Sequence, residues 1–222
     1  MAEYSWLLTH EYAEVSALKL VGDRHSLTAR QRVAVMRSAC SDQALTRRRE
    51  TLVPLVRSPD QPIGVDGYNL LITVESALSG GLILIGRDEC YRDLASIHGT
   101  YRKVEETVPA VELIVDYLAA FEIPRLDWYL DRPVSNSGRL KALMADILEQ
   151  RGVPASADTG WNIELVPDPD AVLGAYSGPI VTSDSVVLDR GGRWINLAAQ
   201  IIDRRAPRAW KIDLRVQPDR VR

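Results

Sequence analysis

Along the chain the spacing of apolar residues changes character once, near residue 58. Before that point apolar positions recur every three to four residues. "EYAEVSALKLVG" carries such a stripe and reaches Gly22, a glycine suited to closing a helix. "SLTARQRVAVMRSACSDQALTRRRETLVPL" continues in helical register, opened by Thr28 and Gln31 at capping-box spacing, with Val33, Met36 and Cys40 on one face. Residues 1–57 are therefore expected to form a small all-α module.

"SPDQP" at 58–62, with two prolines and an acid, is the expected boundary. Beyond it, short β-type runs ("PIGV", "LILIG", "RLDWYL", "WNIELV", "PIVTS") alternate with helical stretches. Those helices are "YNLLITVESALSG", "TVPAVELIVDYLAAF", "SGRLKALMADILEQRG" and "DAVLGAYSG". "RWINL" and "AAQIIDRRA" predict a further strand and helix, and "WKIDLRVQPDRVR" reads either as an edge strand or as a basic tail. This alternation predicts βαβ units: an α/β domain over 63–222 with a mostly parallel sheet flanked by helices.

Charge modifies this picture locally. The whole chain of 222 residues has a net charge of −3, which does not mark a nucleic-acid binder by itself. Yet Arg24, Arg30, Arg32, Arg37, Arg47, Arg48, Arg49 and Arg57 crowd a stretch that holds only Asp42 and Glu50 as acids. Such a surplus is a candidate phosphate-binding surface, the alternative being a solvated helix face. The two cysteines, Cys40 and Cys90, have no histidine cluster at zinc spacing, so free thiols in a reducing cytosol are expected. The first residues lack a signal-peptide pattern, and no apolar run approaches about 18 residues. A cytoplasmic protein without a membrane span is the expectation.

The candidate chemistry is acidic. Several predicted strands run into an aspartate: Asp66, Asp88, Asp131, the pair Asp168 and Asp170, and Asp184. In a parallel sheet all carboxyl ends share one edge, so these acids would converge. Clustered carboxylates raise one another's pKa unless a cation neutralises them. Hard oxygen ligands suit Mg²⁺ or Mn²⁺, ions able to generate a hydroxide and to stabilise the leaving oxygen of a phosphodiester. The competing reading is a helix cap for Asp66 and Asp170, a strand-closing polar residue for Asp88, and loop solvation for Asp131. Asp184 has no evident capping role in the sequence. Ser135, Asn136 and Ser137 precede a predicted helix, where they can cap it or bind an oxyanion. His98, and Tyr91, Arg92, Tyr101, Arg102 and Lys103 around it, read as a polar loop or as a strand-tracking patch. No phosphate-binding glycine loop is present.

"VDGYN", "WYLDRP" and "TSDS" resemble the PIN-like nuclease superfamily, including its NYN branch. The likeness is closer still to the domain-of-unknown-function four-three-four family, whose pattern joins an arginine-rich helical part to a PIN-like half. "WLLTHEYAEVSALKLVGDRHSLTARQR", "VDGYNLLITVESALSG", "RDLASIHGTYR", "LDRPVSNSG" and "VTSDSVVLD" carry it. The resemblance implies a metal-dependent ribonuclease with Asp66 and its companion Asn69 on the first strand, Asp131 on a middle strand and Asp184 on a late one. Asp170 would open the preceding helix, although "PDPD" lets Asp168 serve instead. The expected activity is Mg²⁺- or Mn²⁺-assisted hydrolysis of single-stranded RNA, catalysed by Asp66, Asp131 and Asp184 with Asp170 as a further ligand. Asn69, Ser135, Asn136, Ser137, Arg30, Arg47 and Arg48 would contact substrate. The alternatives are a non-cleaving RNA-binding or complex-forming protein, and a metal-dependent phosphatase on a small nucleotide. The oligomeric state stays open, a homo-oligomer included.

Overall fold

The computed structural model describes residues 1–94, 105–153 and 160–215. His98, Tyr101, Arg102 and Lys103 lie outside them. Four helices come first: α1 (Ala2–Thr9), α2 (Glu14–Arg24), α3 (Ala29–Ser38) and α4 (Asp42–Thr51). The capping box at Thr28 and Gln31 opens α3 as its spacing predicts. The expected single helical run beyond it is instead broken at Ala39, and Ser41 caps α4 by accepting from the Ala44 N–H. Gly22 does not end α2 either. It sits inside the helix, where a β carbon would collide with the Arg32 guanidinium that crosses it to reach Asp23 at 2.7 Å.

The second part holds strands β1 (Ile63–Asp66), β2 (Ile83–Ile85), β3 (Tyr91–Asp93), β4 (Leu126–Asp131), β5 (Trp161–Val166), β6 (Ile180–Val181) and β7 (Lys211–Asp213). Between them run α5 (Gly67–Leu78), α6 (Thr107–Ala119), α7 (Ser137–Gln150), α8 (Pro169–Gly174), α9 (Ser185–Arg190) and α10 (Leu197–Arg205). The main sheet is parallel throughout, in the order β5-β4-β1-β6. After β5 the chain returns across the sheet to pair β6 with the free side of β1. Strand order therefore reverses between β1 and β6, the place where open α/β sheets form a crevice at their carboxyl ends.

Side chains alternate across this sheet as a pleat demands. Ile63, Val65, Leu126, Trp128 and Leu130 face a core built with α5, α6, α7 and α10. Tyr129 and Ile180 face the other side, packed with Leu173, Val187, Leu188 and Trp194 around α8 and α9. The glycine of "VDGYN" has a steric reason: a β carbon at Gly67 would lie 2.5 Å from the Leu130 side chain and 3.0 Å from the Tyr129 carbonyl oxygen. Only glycine lets α5 start so close to β4.

Two expectations need correction, and one further segment gains an assignment. "LILIG" is not in the main sheet: β2 pairs antiparallel with β3 and parallel with β7 in a separate sheet. "RWINL" forms no regular strand, since Trp194 makes only isolated bridges to Leu52 and Ile180. The "SVVLDR" segment, unassigned from sequence, is helix α9.

What joins the helical module to the α/β part is arginine. Arg48 is 2% exposed. It donates to Asp88 at 2.6 Å and to both Asp189 carboxylate oxygens at 2.8 Å. Buried Arg92 grips Asp88 from the other side at 2.7 and 2.8 Å and donates to the Ser183 carbonyl. Burial alone would raise the Asp88 carboxyl, but Arg92 and Arg48 pull it well below the usual carboxylate range. Arg37 donates to the Asp93 carbonyl at 2.7 Å, and Arg47 to the Gly191 carbonyl at 3.1 Å. The Trp194 indole N–H donates to the Arg48 carbonyl, while the chain on either side of Leu52 pairs with the Trp194 backbone. Both cysteines are buried free thiols. Among the described residues, no helix is long and apolar enough to cross a membrane.

Removing Asp88 would take the carboxylate from buried Arg92 and leave buried Arg48 with Asp189 alone. Asp88→Asn is expected to lower unfolding stability by about 3–5 kcal/mol, whereas exposed Arg47→Ala changes it by no more than about 1 kcal/mol. Urea denaturation of the two variants checks this, and equal effects would refute the central place of Asp88.

Candidate acidic site at the sheet edge

Asp66 ends β1 and begins α5, so one side chain serves strand end and helix cap together. Its Oδ1 accepts from the Asn69 N–H at 3.3 Å, and its Oδ2 accepts from the Thr182 hydroxyl at 2.9 Å. Thr182 Oγ1 in turn accepts from the Asp184 N–H at 3.0 Å. Asn69 Oδ1 accepts from both the backbone N–H and the hydroxyl of Ser183 at 2.8 Å. The β1–α5 and β6–α9 turns are thus laced together across the point where strand order reverses. Thr182 and Ser183 were missed as participants in the sequence reading. The "TSD" run next to a predicted strand end was the available signal.

Burial raises the Asp66 carboxyl to about 7, with the nearby charges of Asp170 and Asp184 adding to the shift against the two hydrogen bonds. Asp170 is also raised, by burial and then by Asp184, Asp168 and Asp131. Asp131, at the end of β4, is raised by burial and by Asp168. Repulsion reaches Asp66 from Asp170 and Asp184, Asp170 from Asp184, Asp168 and Asp131, and Asp131 from Asp168, along one edge of the sheet. They form a loose group: among the described residues, no three histidine, cysteine, aspartate or glutamate side chains are gathered tightly enough to constitute a metal cage.

Individual roles differ from expectation. Asp184 does have a capping role, its Oδ1 accepting from the Val186 and Val187 N–H groups at 2.8 and 3.1 Å. Asp168, not Asp170, caps α8 by accepting from the Ala171 N–H at 3.0 Å. That leaves Asp170 in the first turn with its carboxylate uncommitted to the helix. Asp88 belongs to the buried arginine network rather than to this edge. At α7, Asn136 occupies the cap position in a left-handed conformation without a side-chain cap bond, and Ser137 donates to the Arg132 carbonyl at 3.3 Å. Ser135 is exposed beside them. Asn69 spends its carbonyl oxygen on Ser183. Arg48 is buried against Asp88 and Asp189, so it is not a free cation for substrate, and Arg47 is bound to backbone carbonyls. Arg30 and Arg49 remain exposed.

The repulsion has a measurable signature. In the cation-free protein Asp66 keeps its proton to about pH 7, while the unfolded chain releases it near the model value of about 3.9. The folded state then binds more protons between those limits, so stability falls as pH rises from about 4 to about 7. Asp66→Asn retains a capping oxygen without the ionisation, and its urea midpoint should fall less than the parent's between pH 5 and pH 8. Parallel pH curves for the two proteins would contradict the assignment.

Comparison with known proteins yields two family matches. A model described as Protein of unknown function (DUF434) matches residues 1–50, and one described as Domain of unknown function (DUF5616) matches residues 57–200. The resemblance expected for both halves is met by the former over the helical module alone. An uncharacterised protein of Methanocaldococcus jannaschii is 29% identical over 184 residues, spanning 83% of this chain and 88% of its own length. No solved structure matches. Because the second model spans most of its length, the chain belongs to the family described as Domain of unknown function (DUF5616).

Proposed function

We propose that the protein is a PIN-like, Mg²⁺- or Mn²⁺-dependent nuclease acting on single-stranded RNA. The observation that carries this reading is the placement of Asp66, Asp170 and Asp184 near the reversal of strand order, where burial first, and then the charges of Asp170 and Asp184, raise the Asp66 carboxyl to about 7. Acids placed so are costly unless a cation offsets them.

The donor set fits such an ion in kind: it is made of carboxylate oxygens, without the sulfur or imidazole that would favour zinc. Its looseness suits a cation that keeps several waters and takes only one or two carboxylates from the protein. Asp66, Asp170 and Asp184 would hold the ion, with Asp131 further along the edge. Bound there, the ion would supply an activated water and charge stabilisation for a leaving oxygen. The chain's own residues provide the frame. Thr182 fixes the Asp66 carboxylate, Asn69 fixes the β6–α9 turn, and Asp66 releases its proton near neutrality when positive charge approaches. Arg30 and Arg49 are the exposed cations of the module left to meet a phosphate backbone.

The looseness of the group also favours a second reading, an RNA-binding protein that does not cleave. One assay separates the two. The full chain with Mn²⁺ is expected to cut single-stranded RNA, and Asp66→Asn and Asp184→Asn, which keep the caps, should each reduce the rate at least about a hundredfold. Undiminished cutting by both variants would remove the site, and absence of cutting by the parent would leave the binding reading. Replacing Arg30 or Arg49 by Ala should lower the slope of log affinity against log salt by about 1 each in filter binding.

A further inference from the structure

A cleft of about 480 Å³ opens beside the acidic edge, between the helical module and the α/β part. Asn69, Ser183, Asp184 and Val186 line it from the α/β part. Leu8, Tyr12 and Met36 line it from the module. Its volume lies within the span of about 300–1,000 Å³ typical of pockets that enclose a small organic group.

Tyr12, in the turn between α1 and α2, is 53% exposed, and Met36 on α3 is 44% exposed, so both offer apolar surface to the cleft. The turn carrying Tyr12 is firmly built. The Tyr12 N–H donates to the Leu7 carbonyl, Trp6 and His10 stack at 4.0 Å, and Thr9 receives bonds from Asp42 and Gln43 of α4. Exposure here is thus imposed by structure and not by fraying.

The charge of the lining selects among occupants. Arg48 and Arg92 are spent on Asp88 and Asp189, and Arg37 is bound to Asp93. The charge left on the lining is that of Glu11, Glu14 and Asp184. A bare phosphate chain is repelled by such a wall, whereas a neutral, flat, partly polar ring is not. Exposed aromatic side chains are where the unpaired bases of a single strand stack.

We propose that this cleft receives one unstacked nucleobase of the single-stranded RNA, stacked on Tyr12 beside Met36, while its backbone passes the acidic edge where the cation of the proposed site would offset the carboxylates. This deepens the nuclease reading and rests on it for the ligand class. It makes the helical module a determinant of substrate choice: a base held in a duplex cannot enter, so paired RNA is excluded by geometry.

The test uses the full chain and a single-stranded RNA oligonucleotide bearing one 2-aminopurine, with Mn²⁺ and Asp66→Asn to keep the RNA whole. Quenching of the probe on binding is expected. Tyr12→Ala should weaken binding about five- to a hundredfold, the effect of one lost base–aromatic stack, and Tyr12→Trp should restore it. In the cleaving parent, Tyr12→Ala should raise KM while changing kcat little, and a duplex of the same sequence should compete poorly. Quenching that depends on Tyr12 without any cleavage by the parent would uphold the cleft and refute the nuclease reading. Cleavage whose KM and probe signal ignore Tyr12→Ala would do the reverse. Absence of quenching with every chain overturns the cleft assignment.

Discussion

A single carboxylate, Asp88, sits between two guanidiniums that are themselves buried, and the placement of the helical module depends on it. Charges taken out of water are costly to bury and costlier to leave unpaired. A triad of this kind tolerates little displacement, because a shift that lengthens either contact exposes an uncompensated charge to a dry interior. Arg48 enters from α4 and Arg92 from β3, and Arg48 reaches on to Asp189 in α9. Three elements far apart in sequence are brought into one register, and the cleft over the acidic edge takes its shape from that register.

The same network explains why the arginine surplus is not all surface. From sequence, a run of cations against two acids reads as a surface waiting for phosphate. Their counter-charges are present but distant: Asp88, Asp93 and Asp189 lie 40 to 141 positions away from Arg48 or Arg37 along the chain. Local counting cannot see such partners. The alternation of strand and helix was legible because periodicity is local, and so were the Thr28 capping box and the dual place of Asp66. The second sheet was not, since β2 alone does not reveal whether its neighbour will be β1 or β3. The cap formed by Asp184 was hidden for a related reason: α9 has only six residues, too few to show a stripe.

The two ends of the main sheet treat their acids differently. At the amino end of β4, buried Asp127 accepts a hydrogen bond from the Tyr176 hydroxyl at 2.6 Å and faces Arg125 at 3.4 Å. That acid is settled by its surroundings. At the carboxyl end the acids mainly meet one another, with hydroxyls and backbone N–H groups as their partial relief. Chains tend to keep such unrelieved repulsion where it is used, because elsewhere it only costs stability.

Trp194 adds a constraint of a different kind. Its bridges to Ile180 and Leu52 lay residues 193–195 along the outer side of β6, with the segment leaving the helical module beyond them. An open parallel sheet would otherwise present that edge to any passing strand, an invitation to aggregate. Family models divide the chain close to this segment, yet the fold does not come apart there. Separating the halves into independent polypeptides would strip a hem from the sheet, so shuffling either half onto another protein carries a solubility penalty that inheritance as one unit avoids.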